Sequence, residues 1–564
     1  MTISANPPVT PLSLRDYQHD CLATVLDKYR SGVRRQLVCL PTGTGKTVIF
    51  AQFPTFLKMK KRMLVLAHRT ELLEQARDKI LRANPALKVE IEQGQRVADT
   101  DSNVVVASVP TLGRTGSKRL AALDPEQFYV VVVDEAHHAP ADSYGRILEH
   151  MGFAERSTSK LLVGFTATPK RSDGTGLDKV FDEIVFSRAL PAMIRRGYLA
   201  PVTGYRVETD VDLSDVRTRM GDFATGQLSR AVNVVDRNAL VVKVFRDRLA
   251  PRRTLVFCVD VAHAKDQAEA FRANGIAAAS VTGDTDAATR AATLTAFARG
   301  EVDVLTNCMV LTEGYDEPSV EGIILARPTK SAPLYTQMIG RGTRLHPGKA
   351  NVTIIDIVDN SRKHALVTLP SLFGLAPHFD LKGKTTDYIE RALRWVEHQR
   401  PWVRTDQVTD LDELRYRCTH VDLMQLRLPE ALEGIATFAW TQVGPETYRL
   451  GLGNGEGLTV APMLLGHWEA ALSSPQPHLD ASIVACDEDL RTTIHTAERF
   501  VRETRSDSLN LVDAFARWRN QPATDRQLQR IRRSSLVVPR AITRGQASHL
   551  LAMVFAAKGR PPHN

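Results

Sequence analysis

Five short apolar runs recur between Leu12 and Ala200 (QLVCL, MLVLA, NVVVAS, YVVVVD and LLVGF), each separated from the next by a longer segment of mixed polarity. Runs this short, rich in β-branched residues and without alternation, read as strands buried on both faces. The intervening segments are long enough to carry helices, so residues 1–200 are expected to form a parallel sheet covered on both sides. The pattern begins again in residues 201–365 with TLVFCV, AASVTG, VDVLTN, GIILAR and VTIIDIV. Two α/β domains in tandem follow, which suits a 564-residue chain several times longer than one core supports.

Beyond Asn360 the alternation stops. Residues 366–433 read as a helical connector, because TTDYIERALRWVEHQR spaces its apolar residues as a helix does. In residues 434–505, ATFAWTQVGPETYRLGLGNGEGLTVAP breaks into short alternating runs at Gly-Pro and Asn-Gly, the mark of a small β-meander with Trp440, Tyr448 and Trp468 in its core. Residues 506–564 read as a basic helical module: TDRQLQRIRRSS and TRGQASHLLAMVFAAKG each open on an N-cap threonine, and Gly559 closes the second helix. The fold class expected is α/β, two tandem parallel-sheet domains followed by a mixed helical and small β region.

Lys and Arg total 73 against 64 Asp and Glu, a formal charge of +9. Between Gln521 and Arg560 eight basic residues face one acid, Asp525, so most of the net charge lies there and a polyanionic partner is favoured. The six cysteines are scattered with no C-x-x-C pair, which argues against zinc and redox chemistry and for a reducing compartment. No basic segment leads into an apolar one at the start, and no apolar run approaches the 18 or so residues that span a bilayer. A cytoplasmic, nucleoid-associated protein with no membrane partner is expected.

The chemistry begins in QLVCL-PTGTGKT-VIF, a buried strand, a glycine-rich turn and a helix start. Such a turn directs consecutive backbone N–H groups at a phosphate chain. Thr42, Gly43, Thr44, Gly45, Lys46 and Thr47 are the nucleotide-binding candidates, with Lys46 for the β- and γ-phosphates and Thr47 for Mg²⁺. Leu40 stands where the strict pattern has Gly or Ala. A carboxylate is then needed at the end of a neighbouring strand, and YVVVVDEAHH supplies Asp134 for Mg²⁺ and Glu135 to deprotonate the attacking water. His137 reads as a link from the nucleotide site to the second domain, and His138 as structural.

With these residues in place the chain resembles the superfamily 2 helicases and translocases of DEAD/DEAH type, over about Leu12 to Arg344 in collinear order. The resemblance implies RecA-like domains, ATP and Mg²⁺. LRDYQ is similar to the adenine-recognition motif, with Gln18 at the base edge and Arg15 or Tyr17 beside it. VLAHRTELLEQA and VVVASVPTL resemble backbone-contacting motifs, GFTATP the coupling motif with Thr166 and Thr168, and LTEGYDEP the backbone- and ribose-contacting motif with Gly314 and Asp316. QMIGRGTR resembles the arginine-finger motif, in which Arg341 and Arg344, three residues apart, are expected on one helical face with Gln337 a turn earlier.

QMIGRGTRLHPGK, TPKRSDGTGLDKVFDEIV and VDNSRKHALVTLPSLFGL resemble the bacterial RadD-like proteins and their mitochondrial branch-migrating relatives, without the cysteine cluster of the zinc-bearing members. That resemblance implies duplex or branched DNA as substrate, in repair or recombination, with a repair or single-strand-binding protein as a partner. Arg69, Ser108, Thr111, Thr282, Gly283 and Thr312 are the nucleic-acid candidates, on the ground that a translocating motor holds the backbone through hydroxyls and amides as well as charges. A restriction-type motor subunit and an ATP-gated DNA clamp carry the same motifs and remain open.

Overall fold

The computed structural model describes residues 13–153, 159–167, 177–219, 221–312, 314–360, 366–399, 403, 405–419, 429–444, 446–453, 456–463, 466–473, 482–534 and 541–558. The first sheet contains β1 (Arg35–Cys39), β2 (Arg62–Ala67), β3 (Val89–Glu92), β4 (Val104–Ser108), β5 (Phe128–Asp134), β6 (Leu161–Thr166) and β7 (Glu183–Ser187). Its order is β3-β4-β2-β5-β6-β1-β7, parallel throughout. The five expected runs are the five inner strands; β3 and β7 are additional edges. Leu64, Leu66, Val131, Val133 and Leu162 from these inner strands join one apolar core.

This order decides where the chemistry can sit. Cys39 pairs with Thr166 and Asp134 with Phe165, so the C-terminal ends of the inner strands β1, β5 and β6 lie side by side. Gly164 in β6 is required by packing, since a β-carbon there would lie 2.8 Å from Ala136 Cβ and 2.4 Å from Phe181 Cζ. The turn carrying the Asp-Glu-Ala-His segment can therefore press directly onto β6.

The second sheet contains β8 (Val202–Asp212), β11 (Thr254–Phe257), β12 (Ala278–Val281), β13 (Val304–Asn307), β14 (Gly322–Leu325) and β15 (Val352–Asn360), in the parallel order β12-β13-β11-β14-β15-β8. A two-stranded ribbon, β9 (Thr218–Arg219) and β10 (Asp222–Phe223), follows β8. Arg237 on the helix Val235–Arg248 locks this domain internally: its Nε and Nη2 each lie 2.8 Å from an Asp359 carboxylate oxygen on β15, and Nη1 donates to the Ala326 carbonyl at 2.9 Å. Both partners of this pair are fully buried.

The chain divides near residue 387 into two compact units, both parallel sheets lying in the first. The second holds an antiparallel meander, β16 (Thr441–Gly444), β17 (Thr447–Gly453), β18 (Glu456–Pro462), β19 (Trp468–Ser473) and β20 (Ser482–Asp487). The helix Leu490–Thr504 packs on it through Ile494, Ala497 and Val501. Trp440 and Tyr448 are buried in this core, and Trp468, half-buried, stacks on Tyr448 at a ring separation of 6.3 Å. Glu498, buried in the same helix, accepts the backbone N–H groups of Thr437 and Phe438 and the indole N–H of Trp440, and so satisfies the approach to β16. The helices Asp525–Arg532 and Arg544–Lys558 complete the unit, the first closed by a capping box at Thr524. Thr543 caps the second by accepting the Gln546 N–H, and His549 of that helix hydrogen-bonds Thr441 on β16 at 2.6 Å. Gly559 lies outside the described residues.

Candidate active site

The phosphate loop leaves β1 at Cys39. Leu40 N–H donates to the Thr166 carbonyl at 2.9 Å, which continues the β1–β6 ladder into the loop. Gly43 and Gly45 have φ of +85° and +75°, the left-handed region in which residues other than glycine are strained. The loop is held from behind by the start of the helix Asp16–Arg30. Tyr17 hydroxyl and Gln18 Nε2 both donate to the Thr44 carbonyl, and Gln18 Oε1 accepts the Arg15 N–H at 2.9 Å. Gln18 is thus buried against the loop backbone, while Arg15 donates to the Tyr198 carbonyl at 2.9 Å and the Tyr17 and Tyr198 rings meet edge to face at 4.6 Å. Tyr198 was not expected from sequence; its backbone role leaves no residue-type signal.

Lys46 is buried at the start of the helix Lys46–Ala51, which also carries Thr47. Its Nζ lies 3.8 Å from Glu135 Oε1 and 3.5 Å from the Leu40 carbonyl, both longer than a strong hydrogen bond. Asp134 ends β5 and accepts the Glu135 N–H at 2.9 Å. Glu135 itself has φ +48°, a strained backbone for a side chain of its size. Its Oε2 and the Thr42 Oγ1 are buried without a hydrogen bond. A buried carboxylate oxygen and a buried hydroxyl with hydrogen-bonding capacity left over, at the mouth of a phosphate loop, suit a water and a nucleotide. Cys39 directly beneath is inert, its thiol pushed up to about 11 by burial.

His137 Nδ1 lies 3.5 Å from Glu135 Oε2 and 3.4 Å from Thr166 Oγ1, joining the acidic segment to the end of β6. His138 packs against His137 with tilted rings 4.1 Å apart and meets His68 edge to face at 4.5 Å. Thr166 is fully buried, and Thr168 lies outside the described residues.

The arginines differ from expectation. The helix Ala332–Gly340 carries Gln337 but ends at Gly340, so Arg341 and Arg344 lie on the turn beyond it and not on a helical face. Tertiary packing accounts for this stop. A β-carbon at Gly340 would lie 2.6 Å from Thr42 Cβ, and one at Gly342 2.5 Å from Val352 Cγ2, so the chain passes close to both the phosphate loop and β15 there. The two guanidiniums still converge: Arg341 donates to the Thr312 carbonyl at 3.1 Å and to the Tyr315 carbonyl at 2.8 Å, and Arg344 donates to the same Tyr315 carbonyl at 2.8 Å and pairs with Asp316 at 3.1 Å. The stem of Arg344 would stand 3.1 Å from a β-carbon on Gly43, so the arginine turn and the phosphate loop face each other across the two domains.

The second domain also meets the helix Thr70–Ala83 and its N-cap, Arg69. Gln75 donates to the Gly314 carbonyl at 2.5 Å, Arg69 donates to the Val310 carbonyl at 2.9 Å, and Arg290 pairs with Glu71 at 3.4 Å. Arg69 therefore spans the domains. Ser108, Thr282 and Thr312 are buried, and Thr312 donates to the Met309 carbonyl at 2.6 Å. Thr111 is half-buried and accepts the Gly94 N–H at 3.3 Å, and Gly283 is exposed. The six nucleic-acid candidates are thus not one open surface.

Three family models match in chain order: "Type III restriction enzyme, res subunit" over residues 11–171, "Helicase conserved C-terminal domain" over 236–346, and "Mitochondrial helicase Irc3, C-terminal domain" over 419–561. The chain is 31% identical over 570 residues to the mitochondrial ATP-dependent helicase irc3 of Schizosaccharomyces pombe, an alignment covering 97% of this chain and 91% of that protein. It is 37% identical over 415 residues to the ATP-dependent helicase IRC3 of Saccharomyces cerevisiae, covering 70% of this chain and 60% of that one. A type I restriction endonuclease subunit, EcoAI of Escherichia coli, is 25% identical over 71% of this chain and 53% of its own.

Proposed function

The chain belongs to the Irc3 family of ATP-dependent helicases, and we propose on that premise that it hydrolyses ATP in the cleft between its two parallel-sheet domains to remodel duplex or branched DNA. The observation that carries this reading is the apposition of Gly43 and Arg344: the loop that takes the phosphates and the turn that delivers positive charge come from different domains and meet. Turnover is then gated by domain closure. Lys46 holds the β- and γ-phosphates, Glu135 takes the proton of the attacking water through Oε2, which no hydrogen bond occupies, and Arg341 and Arg344 stabilise charge on the transferring group. Thr47 hydroxyl and Asp134 carboxylate are the hard oxygen donors suited to Mg²⁺, which when bound neutralises phosphate charge. His137 and Thr166 link hydrolysis to the nucleic-acid side.

DNA, a nucleoid location and a role in repair or recombination belong to the same proposal, supported by the basic C-terminal segment and by the motif wording. Among the described residues no helix is long and apolar enough to cross a membrane. ATPase stimulation compared across single-stranded, duplex, forked and four-way DNA and RNA tests the reading: DNA, and branched DNA most, should stimulate. Equal stimulation by RNA would overturn it. The restriction-family match over residues 11–171 favours a second reading, a motor subunit, in which DNA stimulation would require added partner subunits.

A further inference from the structure

Lys349 lies in LHPGK, just after the arginine turn, and has no part in the chemistry described so far. Its half-buried side chain turns back beneath that segment, and its Nζ donates to the carbonyls of Gly342 at 2.5 Å, Arg344 at 3.0 Å and Pro318 at 3.2 Å. An ammonium has three N–H donors, and here three carbonyls accept them. Two of these belong to the arginine turn, where the helix has stopped and carbonyls need partners from elsewhere. The third belongs to the segment whose Thr312 and Tyr315 carbonyls hold Arg341 and Arg344.

We propose that Lys349 is a positioning residue for ATP hydrolysis: its ammonium staples the turn bearing Arg341 and Arg344 to Pro318, on the 314–318 stretch whose Tyr315 carbonyl both arginines share, so that both guanidiniums meet the phosphate loop as one rigid piece. This rests on the arginine-gate reading above. Replacing the ammonium leaves the arginines present but free to shift, and a displacement of about an ångström at a reacting centre costs up to roughly 10²-fold in rate.

The charges around this group make the staple sensitive to pH. Burial pushes the Lys349 ammonium down to about 8, with Glu321 and Glu317 pulling upward and Arg344 adding to the fall. Above that pH the amine is neutral, one donor is lost, and the turn loosens. Stability moves the other way: the depressed value means the unfolded chain holds more protons between about pH 8 and the ordinary lysine value near 10.4, so this group's contribution to stability rises with pH across that window. A fall in turnover above pH 8 is then not loss of fold through this residue.

The test is steady-state DNA-stimulated ATPase of the full chain at saturating ATP between about pH 6.5 and 9.5, a range spanning the expected alkaline limb. Fluorescent ATP-analogue binding is measured alongside, for wild type, Lys349→Met, Lys349→Arg and Arg344→Lys. The wild type should lose kcat through an alkaline limb near pH 8. Lys349→Met should have kcat lowered about tenfold to a hundredfold with nearly unchanged ATP binding, and no limb. Lys349→Arg should keep turnover and move the limb upward. A Lys349→Met enzyme with wild-type kcat, or with the limb in place, overturns the staple; if that variant does not fold, a limb still near pH 8 in Lys349→Arg does so alone. Undiminished turnover in Arg344→Lys sinks the arginine gate itself, whereas loss there with full activity in Lys349→Met sinks only the staple.

Discussion

At the end of β1 the chain passes through two glycines at positive φ and then Lys46; at the end of β11, an inner strand of the second sheet, it passes from Phe257 into Cys258, Val259 and Asp260. Asp260 spends its carboxylate on the His263 N–H at 2.8 Å, capping the helix Val261–Ala273, and Val259 N–H goes to His263 Nδ1 at 3.2 Å. Burial pushes His263 down to about 3, so it stays neutral there. One strand end turns through two positive-φ glycines into a buried lysine, and the other is sealed by its own capping bonds. Parallel sheets of similar build thus differ in chemistry through a few residues at their strand ends, and the second sheet contributes instead the arginine turn.

If nucleotide chemistry belongs to the first sheet alone, the largest effects come from its loop and acid pair. Lys46→Ala removes a charge aimed at the phosphoryl group and Glu135→Gln removes the base while keeping shape. Turnover in either should fall by about 10² to 10⁴-fold, with ATP-analogue binding retained in Glu135→Gln. Rapid-quench hydrolysis checks this, and near-normal rates in either variant would remove the residue from its role.

The converse substitution probes the second sheet as scaffold. Arg237→Ala leaves Asp359 buried without its cation, which costs about 3–5 kcal/mol of stability. Urea unfolding should show an early transition for the second domain, while ATP-analogue binding persists at low denaturant because the loop lies on the first sheet. Loss of both together would mean the domains are not separable in this way. Smaller again is the effect of Arg341→Lys or Arg344→Lys, in which charge is kept but the planar fork that grips the Tyr315 carbonyl is lost. Turnover should drop by about 10²-fold with binding unchanged, within the range arginine fingers command. Weak binding with intact turnover at saturation would contradict the gate.

The inner strands were readable because burial on both faces writes an unbroken apolar run. β8 was not: it is an edge, its burial fades from full at Val202 toward alternation, and Glu208, Asp210 and Asp212 give it a polar appearance. β3 and β7 are likewise edges, and Glu90, Glu92 and Glu183 break their apolar runs. Within the site, the phosphate loop and acid pair are local arrangements of consecutive residues, so their identity and strand-end positions were legible. The arginine turn was legible as residues but not as shape, because the helix stops where Gly340 and Gly342 meet Thr42 and Val352, contacts made only in the folded chain. Gln18 backing Thr44 and the burial of Ser108, Thr282 and Thr312 are likewise tertiary facts. Lys349 carried no signal, since a lysine after a Pro-Gly turn ordinarily faces solvent.

The smallest effect concerns the second unit, whose exposed Arg526, Arg532 and Arg533 sit on or next to the helix Asp525–Arg532. Deleting the last helices would be a poor test, because Ala547 and Leu550 are buried and His549 holds Thr441, so the meander would suffer as well. Substituting the three arginines by Gln leaves the core intact: Ile531 stays buried, and Gln527 continues to bridge to the Arg544 carbonyl at 3.3 Å and to Ser548 at 3.2 Å. If this face grips phosphates, unstimulated ATPase should be unchanged, DNA affinity should weaken alike for all sequences, and the slope of log affinity against log salt should flatten by up to about 2.7, at roughly 0.9 per phosphate released. The chemistry of the first unit and the electrostatics of the second would then be separable contributions to one motor. An unaltered slope would instead mean that the arginines face a protein, because counterion release from DNA is insensitive to charges that never reach it.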